Sequence, residues 1–166
     1  MKTIEMEYYL AKYFDWRRNL IVPNVSWGMW DGSHECDLFI ISDSGYATEV
    51  EIKISKSDLV RDKHKINSHF NQYHDSHYDE HIKYLYFAIP DYLLASCQDL
   101  IPSSAGILTV SNDGEVKKIR KATVKSRYKL NDVEKFKVAR LGTMRIWNLK
   151  EKLLEKLEVK NGVRRS

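Results

Sequence analysis

Two strand-like runs in the first third of the chain place acidic side chains among apolar ones at alternating positions. Alternation puts Asp37 on one face of the run 35–41, and it puts Glu51 and Lys53 together on one face of the following run. Two carboxylates on paired strands are hard oxygen ligands of the kind that Mg²⁺ binds. A lysine about 6 to 7 Å further along the same face could position and activate an attacking water. These residue types at this spacing indicate a metal-dependent phosphodiesterase site.

A solvated strand face is the competing interpretation of the second run. Glu49, Glu51 and Lys53 could form cross-strand ion pairs on a wet surface, each worth about 0.2 to 1 kcal/mol. Asp37 favours the metal site, because it lies in a run that otherwise has a buried pattern. A buried carboxylate without a partner costs several kcal/mol, and a cation is the obvious partner. Glu35 and Glu49 rank below these candidates as site residues.

The first twenty residues have the pattern of an amphipathic helix, with Thr3 as its cap and its end near Asn19. A step of about 100° per residue places Glu7 within an apolar stripe, whereas Glu5 falls on a polar side. Glu7 is therefore the better candidate to face the interior and to approach the carboxylates of the strands.

The order of apolar runs and turn residues predicts one domain spanning residues 1–166, of α/β class, with a mixed β-sheet flanked by helices. After the first helix we expect a short strand and turn in SWGMWDG, two strands joined by Asp43-Ser44-Gly45, and a helix capped by Ser55 or Ser57. A buried strand from Lys83 to Pro90, a short helix over 91–98 and a hairpin around 112–114 should follow. The chain should end in a helix from Asn131 to about Leu141, an interruption at Gly142, and a helix from Met144 to Leu157.

The composition is that of a globular protein, with 43% hydrophobic and 30% charged residues. No apolar run approaches the roughly 18 residues that span a bilayer, and the N-terminus lacks the pattern of a signal peptide. Cys36 and Cys97 are too few to predict a disulfide framework. We therefore expect a cytoplasmic protein that does not contact a membrane.

Basic residues are concentrated in one segment, although the net charge is only +4. Such a cluster either protects a solvated strand edge or contacts the phosphates of a nucleic acid. Charge alone leaves both interpretations open. The cluster comprises Lys117, Lys118, Arg120, Lys121, Lys125, Arg127 and Lys129.

The order of the acids resembles a known group of enzymes. An acid on a helix, then Asp37, then Glu51-Ile52-Lys53, resembles the PD-(D/E)xK nuclease superfamily. The strings EVEIKISKSDLVRDKHK, YLYFAIP and IPSSAGILTV are similar, in order and spacing, to the MmcB-like DNA-repair nucleases of bacteria. The resemblance covers roughly residues 35 to 112, and it departs from the motif where Cys36 replaces the proline before the aspartate.

The resemblance implies a restriction-endonuclease-like core and a role for each matching position. Asp37 and Glu51 would bind the catalytic Mg²⁺ or Mn²⁺, with the main-chain carbonyl of Ile52 as a further ligand. Lys53 would orient or deprotonate the water and stabilise the developing charge. Glu7 would match the helical glutamate of the superfamily and join the metal ligands.

The resemblance also implies DNA as the partner. Ser55, Asp58 and Asp62 match a pattern that follows the E-x-K element, and we expect Ser55 to lie at the DNA. Gln72 and Tyr73 would contact DNA beside the active site. Of the basic segment, the residues expected to bind the DNA backbone are Lys117, Lys118, Arg120 and Lys121.

The function expected from these observations is a metal-dependent DNA endonuclease that acts in DNA repair, recombination, or phage or defence DNA processing. The alternative is a catalytically inactive protein of nuclease fold that binds DNA. A homodimer is a possible assembly of either. A third interpretation is a protein without a nucleic-acid partner. His74, His77 and His81 lie at i, i+3 and i+7, which suggests either surface histidines or a zinc site on a helix.

Overall fold

The computed structural model describes residues 1–26, 35–63 and 80–160. It contains six strands and four α-helices in these ranges. In chain order they are α1 (Thr3–Tyr13), β1 (Leu20–Ser26), β2 (Glu35–Ile41), β3 (Ala47–Ile52), α2 (Lys56–Lys63), β4 (Ile82–Pro90), α3 (Leu94–Cys97, between 3₁₀ turns Asp91–Leu93 and Gln98–Leu100), β5 (Gly106–Val110), β6 (Val116–Arg120) and α4 (Asp132–Lys160).

The six strands form a single mixed sheet whose spatial order follows the chain, β1-β2-β3-β4-β5-β6. The first three strands are antiparallel to one another, β4 and β5 run parallel to β3, and β6 returns antiparallel to β5. The predicted α/β class, with a mixed sheet flanked by helices, is confirmed. The strand β3 therefore has a neighbour on each side and lies inside the sheet.

The two faces of the sheet carry separate apolar clusters. On one face, Met6 and Leu10 of α1 pack with Leu38 of β2 and Val50 and Ile52 of β3. On the other face, the buried side chains belong to two clusters that include Phe39 and Ile41 of β2, Ala47 of β3, Phe87 of β4, Leu59 of α2 and Val138 of α4. Because alternate residues of a strand point to opposite faces, Glu49, Glu51 and Lys53 project on the second face, away from α1.

Helix α1 is shorter than the sequence predicts. It begins at Thr3, one residue after the cap Lys2, whose backbone N–H donates to the Glu5 carboxylate at 2.6 Å. The expectation of a Thr3 cap is therefore wrong by one residue. The helix ends at Tyr13 rather than near Asn19, because Asp15 adopts a positive φ of 54° that turns the chain out of the helix.

A strand that the sequence analysis missed follows α1. The residues Leu20–Ser26 form β1 at the edge of the sheet, although they contain Pro23 and Asn24, which we interpreted as a chain break. An edge strand tolerates proline because one row of its backbone groups has no ladder partner. The strand expected in SWGMWDG falls mostly within 27–34, outside the described residues.

The predicted hairpins and the buried central strand are confirmed. The turn between β2 and β3 contains Gly45 with φ of +84°, and the turn between β5 and β6 contains Gly114 with φ of +88°. Left-handed backbone of this kind favours glycine, so both turns follow from the local sequence. The strand predicted from Lys83 to Pro90 begins one residue earlier, at Ile82.

The C-terminal helix is continuous where the sequence predicts an interruption. It begins at the cap Asn131, whose side-chain oxygen accepts from Glu134 N–H at 3.0 Å while Glu134 accepts from Asn131 N–H at 2.7 Å. Gly142 lies within the helix against the side chain of Val22, where an added Cβ would approach a Val22 methyl to 3.1 Å. The glycine at position 142 is therefore explained by the close packing of the helix on β1 and not by an interruption of the helix. No helix within the described ranges is both long and apolar enough to cross a membrane.

We predict that Asn131→Ala lowers the free energy of unfolding by about 1 kcal/mol, because it removes the capping hydrogen bond of α4. Urea unfolding followed by circular dichroism measures this. Asn148→Ala, at an exposed position in the interior of the same helix, is the matched control and should not destabilise the protein. Equal effects of the two substitutions would contradict the capping role.

Candidate active site

The strand β3 carries three charged side chains that are almost fully buried. Glu49 is 1% exposed, Glu51 is 5% exposed and Lys53, directly after the strand, is 6% exposed. These side chains do not form a wet surface, so the interpretation of β3 as a solvated face is wrong. Burying three charges on one strand requires that they compensate one another or a ligand.

Lys53 and Glu51 form a buried ion pair. The Lys53 Nζ donates to Glu51 Oε2 at 2.8 Å, and each side chain is 7% exposed. The backbone of Lys53 is held as well, because its N–H donates to the carbonyl of Ala88 on β4 at 2.9 Å. The i, i+2 spacing in an extended chain puts both side chains on one face, as the sequence predicts.

Asp37 joins this pair from the neighbouring strand. The Leu38–Val50 register of β2 and β3 brings Asp37 to the level of Glu51. Asp37 Oδ2 accepts a hydrogen bond of 2.7 Å from the backbone N–H of Ile52. The structure therefore brings together Asp37, Glu51, Ile52 and Lys53, the four positions predicted to form the centre of the site.

The pKa of Asp37 shows the electrostatic consequence of this arrangement. Burial, followed by the negative charge of Glu51, raises the pKa of Asp37 from 3.8 to about 7, with a smaller contribution from Glu49. The Ile52 N–H and the charge of Lys53 act in the opposite direction and do not offset the increase. The raised pKa of Asp37 therefore reflects a carboxyl group that is buried beside a second carboxylate.

The donor set fits a Mg²⁺ or Mn²⁺ ion held by few protein ligands. Within the described ranges, no three His, Cys, Asp or Glu side chains meet in the manner of an all-protein metal cage. Mg²⁺ usually keeps several waters and binds through one or two carboxylates together with substrate phosphates. Asp37 and Glu51 supply two hard oxygen donors, and a divalent cation bound to them would favour the ionised form of Asp37, which burial disfavours.

Glu7 is placed at a different contact. Its half-buried carboxylate hydrogen-bonds to the side chain of Asn24 on β1, and burial raises its pKa while this bond lowers it. Asn24 in turn has a positive φ of 51°, and its carbonyl accepts from Arg145 Nη2 at 2.5 Å. The charges that act on Asp37 come from Glu51, Lys53 and Glu49. The role of Glu7 as a metal ligand stays a prediction.

The start of α2 follows Lys53 directly. Ser55 caps this helix, because its Oγ accepts from the N–H of Asp58 at 3.1 Å and lies 3.0 Å from Ser57 Oγ. The prediction that Ser55 or Ser57 begins a helix is confirmed. Contact of Ser55 with DNA stays a prediction. Gln72 and Tyr73 lie outside the described residues.

The basic segment divides into exposed lysines and one engaged arginine. Lys117, Lys118 and Lys121 are exposed on or directly after the edge strand β6. Arg120 instead donates to three carbonyls, those of Ala105 at 2.9 Å, Ile101 at 3.2 Å and Pro102 at 2.6 Å. Its guanidinium therefore secures the loop before β5. No local pattern predicts this contact, because its partners are backbone groups 15 to 19 residues away.

Glu49 is the site residue that sequence reasoning ranked too low. It is buried on the same strand face as Glu51, and its charge contributes to the raised pKa of Asp37. The alternation Glu-x-Glu-x-Lys was the available signal. Of the three histidines considered for zinc, only His81 is described, and its Nε2 lies 3.4 Å from Glu134 Oε1.

Comparison with known proteins yields a likeness of fold. No family model matches the chain, and no curated protein matches it. A solved structure, the SPO1766 protein of unknown function from Silicibacter pomeroyi, is similar with a TM-score of 0.57. The likeness covers 89% of this chain and 87% of that one at 16% sequence identity. At this identity the match supports the fold alone.

We predict that the contribution of Asp37 to the stability of the metal-free protein falls as the pH rises from about 4 to about 7. Over this interval folded Asp37, with a pKa of about 7, holds a proton that the unfolded chain, with its ordinary value of 3.8, has released. Because the folded state binds more protons in this interval, the contribution of Asp37 to stability is highest below about pH 4 and falls until about pH 7. Urea unfolding in EDTA at several pH values measures the slope.

Asp37→Asn should remove most of this pH dependence, because the amide does not ionise. Asp43→Asn is the matched control, since the Asp43 side chain is 68% exposed in the turn between β2 and β3. An unchanged slope in Asp37→Asn, or an equal loss of slope in Asp43→Asn, would show that Asp37 is not the group responsible.

Proposed function

We propose that this protein is a metal-dependent DNA nuclease. Its active site for the hydrolysis of phosphodiester bonds would be formed by Asp37, Glu51 and Lys53. The observation that carries the proposal is the buried meeting of two carboxylates with a lysine, in which Lys53 Nζ lies 2.8 Å from Glu51 Oε2 and Asp37 is fixed by the N–H of Ile52 at 2.7 Å. A structural ion pair would need one acid for one lysine. The second carboxylate at this pair, that of Asp37, favours a site for a cation.

Each residue of the chain has a chemical task in this proposal. Asp37, Glu51 and the carbonyl of Ile52 would hold Mg²⁺ or Mn²⁺, which supplies Lewis-acid stabilisation of the phosphate oxygens. Lys53 orients the attacking water and offsets the negative charge that develops on the phosphorus centre. The Ile52 N–H keeps the Asp37 carboxylate in one orientation. Burial around β3 lowers the local dielectric, which strengthens each of these interactions.

The architecture is compatible with the proposal. The mixed sheet with helices on both faces agrees with the restriction-endonuclease-like core that the PD-(D/E)xK resemblance implies. Asp37 and Glu51 lie on adjacent strands of the β2–β3 hairpin, where the resemblance requires them. The same resemblance suggests a cellular role in DNA repair, recombination, or phage or defence DNA processing.

A second candidate function is DNA binding by a nuclease fold that does not cut. It is favoured by the exposed lysines of β6, Lys117 and Lys118, because phosphate contacts there require neither Asp37 nor a metal ion. The two functions differ in one property. Only the nuclease loses its activity when a carboxylate of the β2–β3 hairpin is neutralised.

We predict that the protein cleaves DNA in Mg²⁺ or Mn²⁺, that EDTA abolishes cleavage, and that Asp37→Asn and Lys53→Met each lower the single-turnover rate by about 100-fold or more. Single-stranded, duplex and branched labelled oligonucleotides provide the substrates. Asp43→Asn is the control for Asp37→Asn and should cleave at the wild-type rate. Circular dichroism establishes that each variant is folded. Cleavage by Asp37→Asn at the wild-type rate would refute the assignment, and its absence in the wild type would favour the binding function.

We predict that exposed lysines of β6 contact the DNA backbone. In an Asp37→Asn background, which prevents cutting, Lys117→Gln with Lys118→Gln should weaken DNA binding and reduce the slope of log K against log salt by about 2 for duplex DNA. Fluorescence anisotropy over a salt series measures both quantities. The control is Lys137→Gln with Arg140→Gln, which changes the net charge equally at exposed positions of α4. Equal slopes for the two double variants would exclude a specific basic surface on β6.

A further inference from the structure

The two halves of α4 have different surroundings. In the first half, Val138 is fully buried and Gly142 packs against Val22 of β1. Arg145 donates a hydrogen bond to the Asn24 carbonyl of β1. From Ile146 to Leu157 every side chain is exposed, although Ile146 and Leu149 border a cavity beside β1. The second half of the helix is therefore much less buried than the first.

This second half carries a broad apolar surface, which we call the apolar face of α4. At 100° per residue its members span an arc of about 160° of the helix. Lys150 falls near the middle of the arc, and its ammonium lies 4.8 Å from the centroid of the Trp147 ring. The face consists of Ile146, Trp147, Leu149, Leu153, Leu154 and Leu157, each between 47% and 63% exposed.

The area of the apolar face suits a dimer. Six residues of these types and exposures present about 700 Å² per chain, so pairing two copies would bury at most about 1,400 Å², and stable interfaces bury about 1,200 to 2,000 Å². A solvated helix of one domain usually carries charged side chains on its outer surface. Six large apolar side chains on the exposed half of a helix therefore indicate an interface.

The charges that border the apolar face identify the partner as a second copy. Lys152 and Lys156 lie along one border, and Glu151 and Glu158 lie along the other. When two such helices run parallel about a two-fold axis, the lysine border of each meets the glutamate border of the other. Antiparallel pairing would bring borders of like charge together. The helix is thus complementary to itself in one orientation.

We propose that the protein forms a two-fold homodimer through the apolar faces of two parallel α4 helices. The interface continues the packing surface of Val138 and Gly142 beyond the end of the sheet. The proposal is independent of the nuclease function, and its test requires no catalytic activity.

Sedimentation velocity and light scattering of the full chain between about 1 and 100 μM test the proposal. The wild type should have twice the monomer mass of 19.5 kDa. Leu153→Lys should raise the dissociation constant at least about tenfold, because it replaces a large apolar side chain of the interface with a charge. Asn148→Lys, one turn earlier on the polar side, is the matched control and should remain dimeric.

The orientation is tested by single cysteines, since the native Cys36 and Cys97 are buried. In a parallel pair the residues along the middle of the interface face their own copies over the whole helix. Ile146 and Leu157 lie within about 20° of the middle of the apolar face, so Ile146→Cys and Leu157→Cys should both form an intermolecular disulfide. Cross-linking at only one of the two positions would overturn the parallel arrangement. A monomeric wild type, or a Leu153→Lys variant that dimerises as tightly as Asn148→Lys, would overturn the dimer and leave the apolar face to a different partner.

Discussion

The buried charges of β3 constrain the rest of the structure. Glu51 and Lys53 are held 2.8 Å apart in a strand that has neighbours on both sides. An ion pair in this position has lost most of its hydration. The folded state tolerates that loss only where neighbouring groups hold the two charges in good geometry. The hydrogen bond from Ile52 N–H to Asp37 and the bond from Lys53 N–H to Ala88 provide that fixation from the two adjacent strands. The sheet therefore serves both as the core and as the frame of the site.

The two faces of the sheet differ in the side chains that they carry, and this difference follows from the same constraint. The face toward α1 is packed with apolar side chains, among them Met6, Leu10 and Val50. The opposite face combines apolar clusters under α2 and α4 with the acids and lysine of β3. Burial on this face, followed by the charge of Glu51, raises the pKa of Asp37. A divalent cation bound by Asp37 and Glu51 would act in the opposite direction, because it favours the ionised carboxylates.

Local sequence predicted the parts of the molecule that short-range geometry determines. Asp37, Glu51 and Lys53 were placed together correctly, because alternation fixes the face of each strand and a short turn at Gly45 fixes the register between them. The edge strand β1 was missed because Pro23 and Asn24 resemble a break, and an edge position is a tertiary property. The position of Glu7 beside Asn24 depends on how Met6 and Leu10 pack α1 on the sheet, and the engagement of Arg120 depends on carbonyls of a distant loop. Neither leaves a periodic signal.

The most direct measurement is a crystal structure of the protein soaked in Mn²⁺, with anomalous diffraction used to locate the ion. We predict a Mn²⁺ ion coordinated by carboxylate oxygens of Asp37 and Glu51 and by the carbonyl of Ile52, with waters completing the octahedron. The same soak of Asp37→Asn should show a much weaker peak. A strong Mn²⁺ peak elsewhere with none at Asp37 and Glu51, or an unchanged peak in Asp37→Asn, would contradict the account of the β2–β3 hairpin as a catalytic metal site.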